Sequence, residues 1–288
     1  MGNIFYAPGD QRAERVKALF ARIAARYDLI NDLQSFGLHR YWKARVIKIG
    51  CCAPGQTALD ICCGTADLSL ALARRGLKVV GLDFCEQMLN VAQVRGSQRL
   101  SVTPKRGEAP SETQSKQLED EASNKAHSRP GTLSFVRADA QQVPFPDNTF
   151  DIVIVGYGLR NLADWRTGLR EMERVARPGG RLLVLDFGKP DNRFWRGLYF
   201  GYLKLFVPWL GRIFCGDASA YGYILESLKH YPAQRGVAEA MREMRLSNVR
   251  VVNLLGGIMS INYAEKEGSL IQEIPGHDSA REMQSKSL

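Results

Sequence analysis

The sequence predicts an α/β protein whose mostly parallel sheet is doubly wound and covered by helices on both faces. Three observations carry that expectation. Short apolar runs alternate with helical segments from Thr57 to Phe187, the pattern of parallel strands joined by crossover helices. Two of these runs close on a carboxylate, Asp60 and Asp83, at the strand ends where ligand crevices open in such sheets. The stretch TALDICCGTADLSL, Thr57 to Leu70, reads as a strand, a tight turn of small residues and a helix start. A helix N-terminus behind a small-residue loop presents free backbone N–H groups to a nucleotide.

In order, Gln11 to Ala25 carries an apolar stripe (Val16, Leu19, Phe20, Ile23) at helical spacing. Tyr27 to Trp42 is rich in groups able to face a ligand, and a helix over about 40–49 leads to Pro54-Gly55. The helix opening at Asp67 ends near Gly76; a strand over 78–82 follows, then a helix over about 86–95. Residues 96–131 are rich in Ser, Lys, Glu, Gln and Pro and nearly free of apolar side chains, so a disordered polar insertion is expected. Strands follow at 133–136, 150–155 and 181–187, with a helix over 165–176 and the turn Arg177-Pro178-Gly179-Gly180 between the last two. Arg193 to Leu210 is dense in aromatics, and helices near 221–230 and 234–245 precede two apolar runs, 249–255 and 258–263. The organisation expected is one domain over 1–264, with 11–50 an N-terminal helical cap, and a polar tail over 265–288.

The 288 residues suffice for one large α/β domain, and 45% apolar with 24% charged residues is ordinary globular composition. The net charge of +9 permits contact with nucleic acid or an anionic membrane, but the basic residues are dispersed and form no tail. Six cysteines include two adjacent pairs and no C-x-x-C, so no metal site is expected and the thiols read as small apolar residues in a reducing cytoplasm. MGNIFYAPGD lacks the basic flank and apolar core of a signal peptide, and Tyr6 stands where myristoylation needs Ser or Thr. No apolar run is long enough to span a bilayer.

The loop selects the ligand. A dinucleotide site would show G-x-G-x-x-G after the strand. Here stands Asp60-x-Cys62-x-Gly64-x-Ala66, a loosened form of the acidic, glycine-spaced loop of methyltransferases that use S-adenosylmethionine (SAM). SAM has no phosphate and its charges include a cationic sulfonium and an amino group, which Asp60 and Asp67 suit, while Gly64 and Thr65 shape the turn. Asp83 lies at the spacing of an acid that meets a ribose diol. Asp139-Ala140 follows the third strand, placed for the adenine edge, and Gly156 ends the fourth strand beside the cofactor. Together these predict a class I SAM-dependent methyltransferase, Rossmann-like, with an antiparallel C-terminal strand.

Two further segments resemble a specific family. Tyr27-Asp28-Leu29-Ile30-Asn31 with Ser35, Gly37 and Trp42, and Gly158-Leu159-Arg160-Asn161 with Asp164, Arg170-Glu171-Met172 and Pro178-Gly179-Gly180, resemble the two signatures of the ubiquinone/menaquinone C-methyltransferases, the UbiE/MenG family. Tyr221, Tyr223, Leu225-Glu226-Ser227 and Gly256-Gly257-Ile258 fit it as well. The chain departs from the family pattern at Ile30, Cys63, Ala66, Gly156, Ala176, Asp186 and Gly188.

The resemblance implies SAM-dependent methylation of a ring carbon on a prenylated quinol, demethylmenaquinol in first place and a polyprenyl methoxybenzoquinol in second. Arg160, Asn161 and Tyr27 are the expected catalytic residues. Arg160 stabilises a quinolate in this reading, since a guanidinium stays protonated, and Asn161 orients a hydroxyl; an ion pair of Arg160 with Asp164 or Glu171 is the structural alternative. Asn31, Tyr157, Phe194 and Trp195 are expected to line the acceptor pocket, and His39-Arg40 reads as a surface pair at a helix start. The aromatic stretch 194–209 is either a core helix or a lid for an isoprenoid tail. The chain is expected in the cytoplasm, compatible with peripheral membrane contact and with a homodimer. A nucleic-acid partner is not expected, because the Asn/Asp-Pro-Pro-aromatic motif of base-amino methylation is replaced by Gly-Tyr-Gly-Leu-Arg-Asn.

Overall fold

Strands with both faces buried must be apolar throughout, and the runs here are. A computed structural model describes residues 11–100, 131–215 and 219–268. Its strands are β1 (Thr57–Ile61), β2 (Lys78–Asp83), β3 (Leu133–Arg137), β4 (Phe150–Gly156), β5 (Ala176–Phe187), β6 (Ser247–Leu254) and β7 (Met259–Glu265). They form one sheet in the order β3-β2-β1-β4-β5-β7-β6. The first five run parallel, and β7 lies antiparallel between β5 and β6. Side chains alternate between two cores: Leu59, Val153, Val155, Leu182 and Val184 face one, while Ala58, Ile152, Ile154, Leu183 and Leu185 face the other.

The chain steps outward from β1 to β3, then returns to pair β4 against β1, with Ile61 opposite Val155. Neighbouring crossovers therefore leave in opposite directions at the ends of β1 and β4, which opens a crevice there. Helices α4 (Asp67–Ala73) and α5 (Glu86–Leu100) follow β1 and β2, and a helix over Trp165–Val175 follows β4.

The N-terminal segment folds as α1 (Gln11–Ile23), a 3₁₀ turn (Ala24–Arg26), α2 (Tyr27–Ser35) and α3 (Leu38–Ile49). Phe36 and Gly37 have φ of 50° and 74°, so this corner is left-handed, a conformation glycine adopts without strain. The last helices span Arg193–Cys215, Ser219–His230 and Ala233–Glu243.

Several predicted boundaries move. Helix α3 begins at Leu38 rather than near Arg40. Helix α5 continues to Leu100, so Gly96–Leu100 belong to it and not to an insertion; residues 101–130 lie outside the described residues. Strand β5 begins at Ala176 and takes in Arg177–Gly180, read from sequence as a turn before the strand. It does so through a register shift opposite β4 between Phe150 and Ile152 and through Gly179, whose φ is 74°. The predicted tail is ordered at its start: Glu265 ends β7, and Lys266 exchanges backbone hydrogen bonds with Gly179 and Gly180, at 2.9 Å each. Residues 269–288 lie outside the described ones.

The aromatic helix packs one face into the core, as the core reading expects, and leaves apolar side chains on its other face. Tyr199, Leu203 and Val207 are buried against Leu19, Ile224 and Leu228. Phe194, Leu198, Leu205 and Trp209 are exposed, at 76%, 51%, 73% and 56%. Among the described residues no helix is long and apolar enough to cross a membrane.

Candidate active site

The loop after β1 is held in an unusual backbone path. Cys62, Gly64 and Ala66 all have positive φ, at 55°, 54° and 69°, the region that costs a residue with a Cβ about 1–2 kcal/mol. Asp83 holds the turn from the next strand: its Oδ2 accepts from Gly64 N and its Oδ1 from Cys85 N, both at 2.9 Å. Burial pushes the Asp83 carboxyl upward, against those backbone hydrogen bonds. Gly64 leaves its neighbourhood open as far as the Tyr27 ring, 4.0 Å from where a Cβ would stand. Burial also raises the Cys62 and Cys63 thiols well above their ordinary value, so neither is a nucleophile.

A cavity of about 360 Å³ opens over this loop, within the usual range for small-molecule sites. Of the sequence-predicted residues it brings together Tyr27, Gly64, Asp83, Asp139, Ala140, Gly156, Tyr157 and Asn161. Sequence reasoning missed Glu14, Lys17 and Phe20 of α1, and Met88 of α5, which also line it. The apolar stripe of α1 was legible, but no signal in it says which polar residues turn toward a ligand.

Asp60, Thr65 and Asp67 stand behind the loop rather than at the cavity. Asp60 accepts from Ser69 Oγ at 2.5 Å and is 1% exposed; burial outweighs that bond and pushes its carboxyl up to about 7. Asp67 was expected to suit a ligand's positive charge. It is instead clamped by Lys43 at 2.6 Å and Arg95 at 2.5 Å. Burial alone would raise this carboxyl; the Lys43 charge and the bonds from Lys43 and Arg95 prevail and hold it at about 2. Arg95 also binds Asp28 at 2.8 Å and Thr65 O at 2.8 Å, and Thr65 Oγ1 donates to Asp28 Oδ1 at 2.8 Å. This network ties α2, α3 and α5 of the cap and sheet edge to the loop.

Arg160 follows β4 in the 3₁₀ turn Leu159–Asn161 and lines neither cavity. Its ion-pair partner is Asp186 at the end of β5, 3.1 Å from Nε, and not Asp164 or Glu171. Those acids have other work: Asp164 caps the helix Trp165–Val175 at Arg166 N, and Glu171 pairs with Arg174. The Arg160 guanidinium also donates to Asn161 Oδ1 at 2.8 Å and Ser227 Oγ at 3.0 Å, and packs 5.0 Å from the Phe187 ring. Asn161 Nδ2 in turn donates to Tyr157 O at 3.1 Å.

A second, smaller cavity of about 50 Å³ lies where α2, α3 and the aromatic helix meet. Asn31 lines it, and Tyr157 lines both cavities. Phe194 and Trp195 line neither; Trp195 Nε1 instead donates to Leu255 O at 3.0 Å. His39, read from sequence as a surface residue, is 3% exposed and faces this cavity, with Nε2 2.7 Å from Asp32 Oδ1. The helix starts earlier than its sequence suggests, which turns His39 inward at the α2–α3 corner.

A seven-stranded sheet with β7 inserted antiparallel, and a strand-end acid under a small-residue loop, define a SAM-dependent methyltransferase. Solved structures agree on the fold. A SAM-dependent methyltransferase from Thermotoga maritima aligns over 88% of this chain and all of its own length, with a TM-score of 0.56 at 15% identity. The [4+2]-cyclase SpnF aligns over 93% of this chain and all of its own, with a TM-score of 0.52 at 15% identity. The chain belongs to the ubiE/COQ5 methyltransferase family, whose model matches residues 9–103 and 110–266, and its cofactor is SAM. The Ubiquinone/menaquinone biosynthesis C-methyltransferase UbiE of Cellvibrio japonicus is 37% identical over 258 residues, 88% of this chain and 92% of that protein. The Demethylmenaquinone methyltransferase of Desulfitobacterium hafniense is 37% identical over 257 residues, 88% and 90% of the two chains.

Proposed function

We propose that this enzyme methylates demethylmenaquinol at the ring carbon beside a hydroxyl, giving menaquinol. The observation that carries the reading is the aromatic wall of the second cavity, which includes Trp42, Tyr157, Phe187, Tyr199 and Tyr202. The cavity takes only the hydroxyl-bearing edge of an acceptor ring, and beyond it, where Tyr157 also lines the first cavity, a bicyclic naphthoquinol has more surface to stack than a single ring does. The Cellvibrio relative is named for ubiquinone as well as menaquinone biosynthesis, which keeps a methoxybenzoquinol acceptor as the second reading.

The cavity over the β1 loop suits SAM. Asp83 has lone pairs left after its two backbone bonds, enough to accept from a ribose diol. Asp139 and Ala140 flank the adenine, while Gly64 and Gly156 admit the ligand close to the backbone. Asp60, Thr65 and Asp67 support the loop from behind. SAM supplies an electrophilic methyl group. The chain aligns the acceptor against it and excludes water. Tyr27, Asn161 and Tyr157 orient the ring between the two cavities, and Asn31 reaches the acceptor from α2. Arg160, occupied by Asp186, acts by holding Asn161. The exposed stripe Phe194, Leu198, Leu205 and Trp209 would let an isoprenoid tail remain in a membrane surface.

Transfer of a labelled methyl group from SAM to reduced naphthoquinols, reduced benzoquinols and bulk RNA tests this directly. Naphthoquinol preference is the expected result. Labelled RNA, or a clear preference for the benzoquinol, overturns it.

A further inference from the structure

The buried polar atoms that lack a partner are not scattered. Among the described residues there are six, and four of them, Asn31 Nδ2, His39 Nδ1, Tyr157 Oη and Tyr199 Oη, belong to residues lining the 50 Å³ cavity. Burying such groups dry is costly, and native proteins pair nearly all of them. A cluster of four around one small space is therefore a site for something polar. The set pairs a donor (Asn31 Nδ2) and two phenols with one ring nitrogen. A hydroxyl, which donates once and accepts twice, can pair three of the four: the ring nitrogen, Asn31 Nδ2 and one phenol.

The geometry fixes the chemistry of the ring nitrogen. Asp32 Oδ1 accepts at Nε2, 2.7 Å away, and Asp32 Oδ2 is held by Arg40 at 2.6 Å. A carboxylate only accepts, so Nε2 carries the proton and Nδ1 presents a lone pair. The corner is locked: His39 N donates to Ser35 Oγ at 3.3 Å, and Ser35 Oγ donates to Asn31 O at 2.5 Å. Tyr157 lines both this space and the cavity over the β1 loop.

We infer that Asp32 and His39 form a catalytic dyad in which His39 Nδ1 is the general base, and that the small cavity receives the ring hydroxyl of the acceptor. The inference rests on the quinol reading and deepens it. The volume admits a hydroxyl and the ring edge bearing it, and the rest of the ring extends past Tyr157. In the step, the acceptor O–H bond breaks, the proton goes to Nδ1, and the electron pair stays on oxygen. That charge makes the neighbouring ring carbon the nucleophile toward the methyl group. His39 then returns its proton to the oxygen as the methylated carbon loses its own proton to water, restoring the aromatic ring. Asp32 is a positioning residue.

The charged and titratable groups around the imidazole come from several elements: Asp32 on α2, Arg40 and Lys43 on α3, Asp67 on α4, Tyr157 after β4, and Tyr199 and Tyr202 on the aromatic helix. Burial lowers the imidazole pKa most, and Lys43 adds to that; the Asp32 bond and the charges of Asp32 and Asp67 oppose them without prevailing. The base is thus neutral and available at neutral pH.

The test uses the full-length chain with nitrogen-15-labelled histidine. Adding a reduced short-chain naphthoquinol without SAM is expected to shift the His39 Nδ1 resonance, and the free imidazole should titrate below 6.5. His39→Gln should lower kcat by about a hundredfold or more, remove the acid limb of the kcat–pH profile, and leave the SAM Kd within twofold by calorimetry. Tyr199→Phe keeps the ring and its packing, and should raise the quinol KM several-fold if the histidine variant fails to fold. A His39→Gln enzyme within threefold of wild type, or an Nδ1 resonance unmoved by saturating quinol, overturns the dyad. Wild-type enzyme that methylates no quinol overturns the functional reading instead, and the resonance shift still decides the site.

Discussion

Replacing Asp186 by Asn keeps the shape of the residue and removes its charge. The Arg160 and Asp186 side chains are 4% and 3% exposed, so water cannot substitute for the lost carboxylate. Asp186 Oδ1 accepts from Arg160 Nε at 3.1 Å and Phe187 N at 2.8 Å, and Oδ2 accepts from Arg160 N at 3.3 Å. An asparagine has one acceptor oxygen, and its NH₂ group must then face one of those donors. The guanidinium keeps neutral partners, Asn161 Oδ1 and Ser227 Oγ among them, in place of the carboxylate. Breaking a buried pair in this way costs about 3–5 kcal/mol, a large share of the roughly 5–15 kcal/mol that holds a typical domain folded. With a urea m-value of about 2–3 kcal/mol/M, the midpoint should fall by about 1–2 M at unchanged slope. The double variant Arg160→Met with Asp186→Leu removes both charges and should recover most of that stability, while methyl transfer stays low because Asn161 has lost its support. A loss below about 1 kcal/mol in Asp186→Asn refutes the reasoning; it would mean that burial, which raises the Asp186 carboxyl, already keeps it protonated in the native protein.

Other contacts set further outcomes. Asp60 titrates near 7 when folded and near 3.8 otherwise, so its stabilising contribution is complete below the lower value and is lost as pH rises through 7. Asp60→Asn stays neutral and can still accept from Ser69; its Tm should gain on wild type between pH 5 and pH 8, and an equal deficit at both pH values would count against this. Gly64→Ala meets no atom closer than 4.0 Å but must hold φ at 54°; it should cost about 1 kcal/mol of stability and weaken SAM binding in calorimetry, because the new methyl faces Tyr27 across the cavity. Unchanged SAM affinity would put the cofactor elsewhere. Serine at Phe194, Leu205 and Trp209 should raise KM for a long-tailed quinol several-fold and leave the SAM KM alone; equal shifts in both would remove the tail from that face.

What could be read from the chain was local. Asp83 is legible because a carboxylate at a strand end, with a small-residue loop ahead of it, is a short-range pattern. The cysteines of the loop were legible as packing residues, and their raised thiols agree. The role of Asp67 was misjudged because its two cations come from α3 and α5, at positions 43 and 95. Arg160 was located correctly, yet its partner was sought nearby, at Asp164 or Glu171, when it lies at the end of the adjacent strand.

The sequence alone therefore determined the order of elements, the parallel sheet and the family, because periodicity, turn chemistry and signature spacing are encoded over a few residues at a time. Only the tertiary structure decided which polar groups are paired and which are left facing a cavity. Tyr202 Oη reaches Gln34 O at 2.8 Å across 168 residues of chain, and His39 faces a cavity that α2, α3 and the aromatic helix enclose together. Burial and partner choice are set by side chains that meet from distant segments: burial favours the neutral form of the His39 imidazole, and Asp32 fixes which of its nitrogens carries the proton.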